Sequence, residues 1–384
     1  MKIADRVANL PPYVFAALEK RLGAIRAKGV DVISLGIGSP DLAPPQFIVD
    51  ELYRSASRKD THGYAGYFGT PALRQAIAGY YEKRFGVEAD PNAEVLALIG
   101  SKEGLANMAF AFIDPGDLAL VPDPGYPTYS MGPLMAGGGS YPMPMLEDEG
   151  FLIDFGAIPD DVAAKATLMW LNYPNNPTGV AAPMSFLQEA VDYCREHDIV
   201  LCYDNPYCDL TFDGYVAPSI LEVPGARDVA VEFNSLSKTY NMAGWRIGMA
   251  VGNARAIQAL SVIKTNIDSG IFLPVQAAAT AALNADQSWI AERNMIYQRR
   301  RDIVMGWLPK VGLTARPPKG ALYVWAKLPE GVDAEAWATE MLEKAGVWLT
   351  PGNAYGEYGK GYLRISLCTP EERLAEAGER LSSV

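Results

Sequence analysis

Six short apolar runs, at residues 95–99, 118–121, 166–171, 199–203, 229–233 and 247–251, recur along the first two-thirds of the chain, each bounded by turn residues. Between them lie stretches such as 102–113 and 183–197, whose apolar residues fall three and four apart, the spacing of one helix face. Strand, helix and strand in succession bury both faces of a sheet when the strands run parallel and the crossover helices cover either side. The spacing therefore predicts an α/β fold with a mostly parallel central sheet and helices on both faces. After about residue 284 the pattern changes to a long charged helix through Arg293 and Arg299 to Arg301, able to bridge two lobes. Strands near 322–328, 347–349 and 362–367 and helices at 333–344 and beyond Pro370 predict a smaller α+β domain. The N-terminal arm, with Pro11, Pro12 and a strand-like 32–35, has no partner nearby in sequence and is expected to pack against that smaller domain. The expected organisation is an arm with part of the small domain at 1–45, a large domain at 46–285, and the connecting helix with the small C-terminal domain at 286–384.

Charge and rare residues narrow the function classes. A net charge of −12 repels phosphate backbones and anionic lipid, so neither nucleic acid nor a membrane surface is an expected partner. Two histidines, His62 and His197, leave little room for a metal cage, and no metal is expected. Cys194, Cys202, Cys208 and Cys368 show no CxxC spacing and read as reduced thiols of a cytoplasmic protein. The first ten residues lack the unbroken apolar stretch of a signal peptide, and no run approaches the length that spans a bilayer.

In open α/β sheets ligands sit beyond the carboxyl ends of the strands, so the polar residues after each apolar run carry the information. After 95–99 come Gly100, Ser101 and Lys102 and then a helix, an arrangement that aims backbone N–H groups at a phosphate. After 166–171 comes Asn172 and, four residues on, Asn176; after 199–203 comes Asp204, with Tyr207 three residues on. After 229–233 come Ser235 and Lys238, and Arg246 lies eight residues past the lysine. Taken singly, Asp204 reads as a turn residue and Lys238 as a surface lysine. Gly36-Ile37-Gly38 lacks the third glycine of a dinucleotide fingerprint. Together, an anion cradle, an acid, a phenol, an amide, a lysine and an arginine at neighbouring strand ends are hard to explain by packing.

These residues resemble the class I/II, fold-type-I aminotransferases, from Leu35-Gly36-Ile37-Gly38-Ser39-Pro40-Asp41 to Tyr362-Leu363-Arg364-Ile365-Ser366. The most specific stretch is 235–248, with Ser235-Leu236-Ser237-Lys238 and Trp245-Arg246-Ile247-Gly248. Within the family, Ile99-Gly100-Ser101-Lys102-Glu103-Gly104 and Asn266-Ile267-Asp268-Ser269-Gly270 look most like the LL-diaminopimelate aminotransferase group. The resemblance implies pyridoxal 5′-phosphate as cofactor, an L-amino acid and a 2-oxo acid as substrates, and a ping-pong reaction. It makes Lys238 the lysine that condenses with the cofactor aldehyde and then shuttles a proton. It places Asp204 against the ring nitrogen, Tyr207 and Asn176 on the phenolic oxygen, and Tyr126 on the ring face. Ser101, Lys102, Ser235 and Arg246 fall to the phosphate, and Tyr64 reaches the phosphate of a neighbouring subunit, which implies a homodimer with shared sites. Arg364, with Asn176 and the backbone around Gly38, falls to the substrate carboxylate.

The substrate pocket departs from the nearest group. Phe68 stands near the place of a glutamate that helps read a distal ammonium, and Asn205-Pro206 replace two alanines. An apolar ring cannot satisfy an ammonium, so alanine or another small or apolar amino acid rivals LL-diaminopimelate. A carbon–sulfur lyase on the same scaffold and a non-catalytic relative are the alternatives of other classes.

Overall fold

The computed structural model describes residues 1–8, 10–11 and 14–384, with the side chains of residues 5, 6, 14–18 and 21 also outside the description. Pro12 of the expected arm therefore lies outside the described residues. The first strand, β1 (Ile33–Ser34), belongs to the C-terminal part of the fold. The next seven build the main sheet: β2 (Val95–Leu98), β3 (Leu118–Asp123), β4 (Gly139–Pro144), β5 (Ala166–Leu171), β6 (Val200–Asp204), β7 (Ala230–Ser235) and β8 (Gly248–Gly252). Their order is β2-β8-β7-β6-β5-β3-β4, with β8 antiparallel to both neighbours and every other pair parallel. The mostly parallel sheet expected from the apolar runs is the observed one.

Alternation along the strands divides the interior in two. Met169 and Leu171 of β5 and Leu201 and Tyr203 of β6 face one core, with helices Pro71–Phe85, Met184–Glu196 and Leu273–Asn284 over them. Leu168, Trp170, Cys202, Val231 and Phe233 face the other, under helices Ser101–Phe112 and Ala254–Ile267. Strands buried on both faces read as unbroken apolar runs, which is why β5, β6 and β7 are plain in the sequence. Strand β4 is not: it is the sheet edge, half exposed, and holds Pro142 and Pro144, which an edge tolerates.

A second core joins the two chain ends. Strands β9 (Thr314–Ala315), β10 (Tyr323–Lys327), β11 (Val347–Trp348), β12 (Thr350–Pro351) and β13 (Tyr362–Ser366) follow the long helix Trp289–Trp307. Four of them make an antiparallel sheet in the order β12-β13-β10-β9, while β11 pairs in parallel with β1. The Leu35 N–H donates to Trp348 O, and the Ser366 N–H donates to Leu35 O, so the segment before residue 40 is stitched to the C-terminal strands. Helices Ala334–Ala345 and Glu371–Ser382 cover this smaller α+β layer. Among the described residues no helix is long and apolar enough to cross a membrane.

Candidate active site

Parallel strands end on one edge, and the residues that follow β5, β6 and β7 meet there with Gly100 and with β13 from the smaller layer. A cleft of about 380 Å³ at this edge is lined by Gly38, Ser101, Lys102, Tyr126, Asn176, Asp204, Tyr207, Ser235, Lys238, Arg246 and Arg364. Of the residues expected from the sequence, Tyr64 alone stays outside it; this residue is 92% exposed.

Asp204 is buried at the floor of the cleft. Its Oδ2 accepts from the Tyr129 hydroxyl at 2.6 Å, and Tyr129 is itself stacked on Trp170 at 5.3 Å between ring centres. Its Oδ1 is buried and makes no hydrogen bond among the described residues. Burial raises this carboxyl to about 7, against the opposing pull of the Tyr129 hydrogen bond and the Lys238 charge. Asn172 Nδ2 donates to the Asp204 carbonyl at 2.6 Å and fixes the strand end. The sequence does not signal Tyr129 as functional: it sits three residues past Tyr126 on a helix, where an aromatic reads as core.

The lysine and the arginine reach the cleft from opposite lobes. Lys238 Nζ donates to the Gly38 carbonyl at 2.5 Å, so the amine points inward rather than into solvent. Arg364, 3% exposed, donates through Nη1 to Asn176 Oδ1 at 2.8 Å and through Nη2 to Gly36 O at 2.6 Å. Its guanidinium carbon lies 4.0 Å from the ring centre of Tyr323 and 4.8 Å from that of Tyr355, which fixes the plane of the fork. Tyr323, not expected from the sequence, shares a hydrogen bond of 3.2 Å with the Tyr207 hydroxyl. A Cβ on Gly38 would stand 1.9 Å from the Tyr323 hydroxyl, so this position needs glycine for packing alone.

At the other end, Gly100 takes a φ of 73° before the helix Ser101–Phe112. A Cβ there would lie 2.2 Å from Arg246 Nη2, so the glycine lets the guanidinium close over the helix N-terminus. Ser235 Oγ accepts from the Ser237 N–H at 3.2 Å, and Lys102 Nζ lies 5.8 Å from the Tyr126 ring centre. Helix N–H groups, two cations and hydroxyls at one end, and a buried acceptor at the other, form a polarised slot.

Residues 30–381 match the family described as aminotransferase class I and II. The chain belongs to this family. It is 51% identical to the LL-diaminopimelate aminotransferase of Moorella thermoacetica over 384 residues, covering 100% of this chain and 98% of that one. Its identity to the enzyme of the same name from Dehalococcoides mccartyi is 49%, over 100% of this chain and 99% of that one. Among solved structures, substrate-bound BacF from Bacillus subtilis superposes with a TM-score of 0.96 at 38% identity, covering 100% of this chain and 98% of that one. A probable N-succinyldiaminopimelate aminotransferase from Thermus thermophilus gives 0.91 at 38%, over 96% of this chain and 99% of that one.

As an aminotransferase the protein is an enzyme that transfers nitrogenous groups, and its family implies pyridoxal 5′-phosphate. The residues present fit that group. The buried, unpartnered Asp204 Oδ1 suits a protonated ring nitrogen, and the slot beneath Arg246 suits a phosphate dianion.

Asp204 also gives this aminotransferase a pH signature. Its folded-state carboxyl is raised from 3.8 to about 7, so between those values folding takes up a proton and stability falls as pH rises. The contribution is full below 3.8 and lost above about 7. In protein stripped of cofactor, Asp204→Asn should gain thermal stability relative to wild type as pH rises from about 4 to 7. Parallel melting curves of the two across that range would contradict the assignment.

Proposed function

We propose that this aminotransferase acts on LL-diaminopimelate, passing its amino group to a 2-oxo acid, 2-oxoglutarate or pyruvate, by a ping-pong mechanism in a homodimer with shared sites. The observation that carries the substrate is full-length identity of 46–51% to several enzymes that bear that name. Within its own chain Phe68 lines a separate cleft with Arg74 and Asn92, so a distal ammonium in the cleft of Lys238 needs another partner from that chain. A carboxylate with no role expected from the sequence, Glu19, lines the cleft of Lys238 and Arg364 and offers a partner for a distal ammonium. Tyr64, projecting from its own chain, suits a reach into a neighbouring site. Unpaired cysteines at all four positions suit the reducing cytoplasm.

On this reading pyridoxal 5′-phosphate supplies the electron sink when bound. Arg364 grips the substrate α-carboxylate and turns the Cα hydrogen toward Lys238, whose Nζ takes that proton and delivers it two bonds away, to the carbon on the other side of the transferred nitrogen. Asp204 Oδ1 keeps the ring nitrogen protonated. Tyr207 and Asn176 hold the phenolic oxygen, and Tyr126 covers the ring. Ser101, Lys102, Ser235 and Arg246 bind the phosphate, joined by Tyr64 of a second subunit.

The test is a donor panel with both acceptors. LL-diaminopimelate should exceed L-alanine and other small or apolar donors, and Glu19→Ala should narrow that margin. Turnover of alanine without diaminopimelate would overturn the substrate, and pyruvate release without an acceptor would reveal a lyase. Arg364→Ala should raise the donor KM roughly 10- to 150-fold, equivalent to about 1.5–3 kcal/mol for a hydrogen bond to a charged group, with a smaller change in kcat. An unchanged KM removes Arg364 from the carboxylate site.

A further inference from the structure

The helix Trp289–Trp307 carries more buried charge than a connector needs. Arg293 is 3% exposed, yet among the described residues no carboxylate lies within ion-pair distance of it. Its guanidinium is given instead to main-chain carbonyls and to the neighbouring Asn294 Oδ1, which accepts from Nε at 3.2 Å and Nη2 at 2.8 Å. Nη1 donates to Lys238 O at 3.0 Å and also to Thr239 O, and Nη2 donates to Asp209 O at 2.6 Å. Asn294 Nδ2 donates to the same Asp209 carbonyl at 3.0 Å. Lys238 and Thr239 close the single turn Leu236–Thr239, whose last carbonyls have no partners within so short a helix. Burying a cation there is unfavourable unless it satisfies several acceptors at once. Arg293 does so, and it ties the segment after Tyr207 to the one that carries Lys238.

Seven residues further, on the same helix face, Arg300 is 4% exposed. Its Nη1 and Nη2 bind Asp41 Oδ1 and Oδ2 at 2.7 and 2.8 Å, and Nη1 also donates to Leu367 O at 3.1 Å. Asp41 lies three residues past Gly38, whose carbonyl accepts from Lys238 Nζ, and Leu367 directly follows the strand that holds Arg364. One rigid face therefore grips the lysine turn at one point and the backbone flanking Gly38 and Arg364 at another.

We propose that Arg293 and Arg300 are positioning residues: the helix between them is a spacer that fixes the proton-carrying amine of Lys238 relative to the carboxylate fork of Arg364. The proposal rests on the roles given above to Lys238 and Arg364, and its test is read both without and with cofactor. In hydrogen–deuterium exchange of cofactor-free protein, Arg293→Met should speed exchange across 236–242 and leave 362–367 near wild type. Arg300→Met should do the reverse, acting on 38–41 and 362–367. In the holoenzyme, Arg293→Met should lower kcat roughly 10- to 100-fold with a small change in donor KM, and should raise the isotope effect with Cα-deuterated donor. Arg300→Met should act mainly on KM, and Arg293→Lys should recover part of the kcat loss.

Unchanged exchange at 236–242 in Arg293→Met, or an isotope effect equal to wild type, overturns the proposal. If the methionine variant does not accumulate as folded protein, Arg293→Lys, which keeps the charge but not the fork, decides by the same two readouts. Borohydride fixation of cofactor in wild type at a residue other than Lys238 would sink the proposed site roles, and the exchange pattern would still decide for or against the spacer.

Discussion

Lys238→Ala should reduce transamination to background, a loss of more than about four orders of magnitude, because one side chain is assigned both the covalent tether and the proton carrier. The geometry supports so large an effect. The Lys238 amine is held inward at 2.5 Å from Gly38 O, beside the backbone that Arg364 and Tyr323 surround. No neighbour can take over at that place: the other lysine of the cleft, Lys102, stands at the phosphate end beside Tyr126. The main chain should survive the change, since Arg293 bonds the carbonyl of residue 238 and not its side chain. Folded protein with no turnover is therefore the expected pairing, measured by donor-dependent 2-oxoglutarate consumption and by melting temperature. Borohydride should fix the chromophore at Lys238 in wild type and fail to do so in the variant. Turnover within tenfold of wild type, or fixation at Lys102, would place the chemistry elsewhere.

What the sequence conveyed, and what it did not, follows from where each signal is local. Strands β5 to β7 are readable because burial on both faces leaves an apolar run, and strand ends are readable because polar residues follow such runs abruptly. Lys238, Asp204 and Arg364 are joined by a resemblance spread along the whole chain, and the fold then brings all three to one cleft. Tyr129, Tyr323 and Glu19 were not legible. Each sits inside or on an ordinary element; the contact of Tyr129 with Asp204, and the places of Tyr323 and Glu19 in the cleft, depend on the packing of segments distant in sequence. Phe68 stands by resemblance near the place of a substrate-reading glutamate, and its own chain places it beside Arg74 and Asn92; any part it takes in a pocket depends on contacts between subunits, which no local signal carries. The charged character of Trp289–Trp307 was visible, but three of its arginines turn inward, each onto carbonyls or a carboxylate from a different part of the chain.

Asp204→Asn should keep fold and shape and still lower kcat by roughly 10²–10³-fold, the range for removing one preorganised electrostatic contact from a buried site. Among the described residues two buried carboxyls are raised to about 7, and they make the contrast that isolates the role. Glu232 is fully satisfied, accepting from the Ser219 hydroxyl at 2.5 Å, the Ile220 N–H at 3.0 Å, Tyr81 at 3.0 Å and Asn205 at 3.2 Å. Nothing further can bind it, so Glu232→Gln should disturb stability and leave the chemical step nearly intact. Asp204 has the same burial with one oxygen unspent, facing the cleft that holds Lys238. A cation brought to that oxygen gains the attraction and relieves the desolvation together, so the carboxylate binds it strongly. An amide in its place offers no charge to hold a proton on the ring nitrogen, while its oxygen can still accept from Tyr129. The loss should therefore fall on proton abstraction, seen as a larger isotope effect with Cα-deuterated donor and a donor KM close to wild type. A kcat within a few fold of wild type, or a loss confined to KM, would show that Oδ1 meets no charge during turnover.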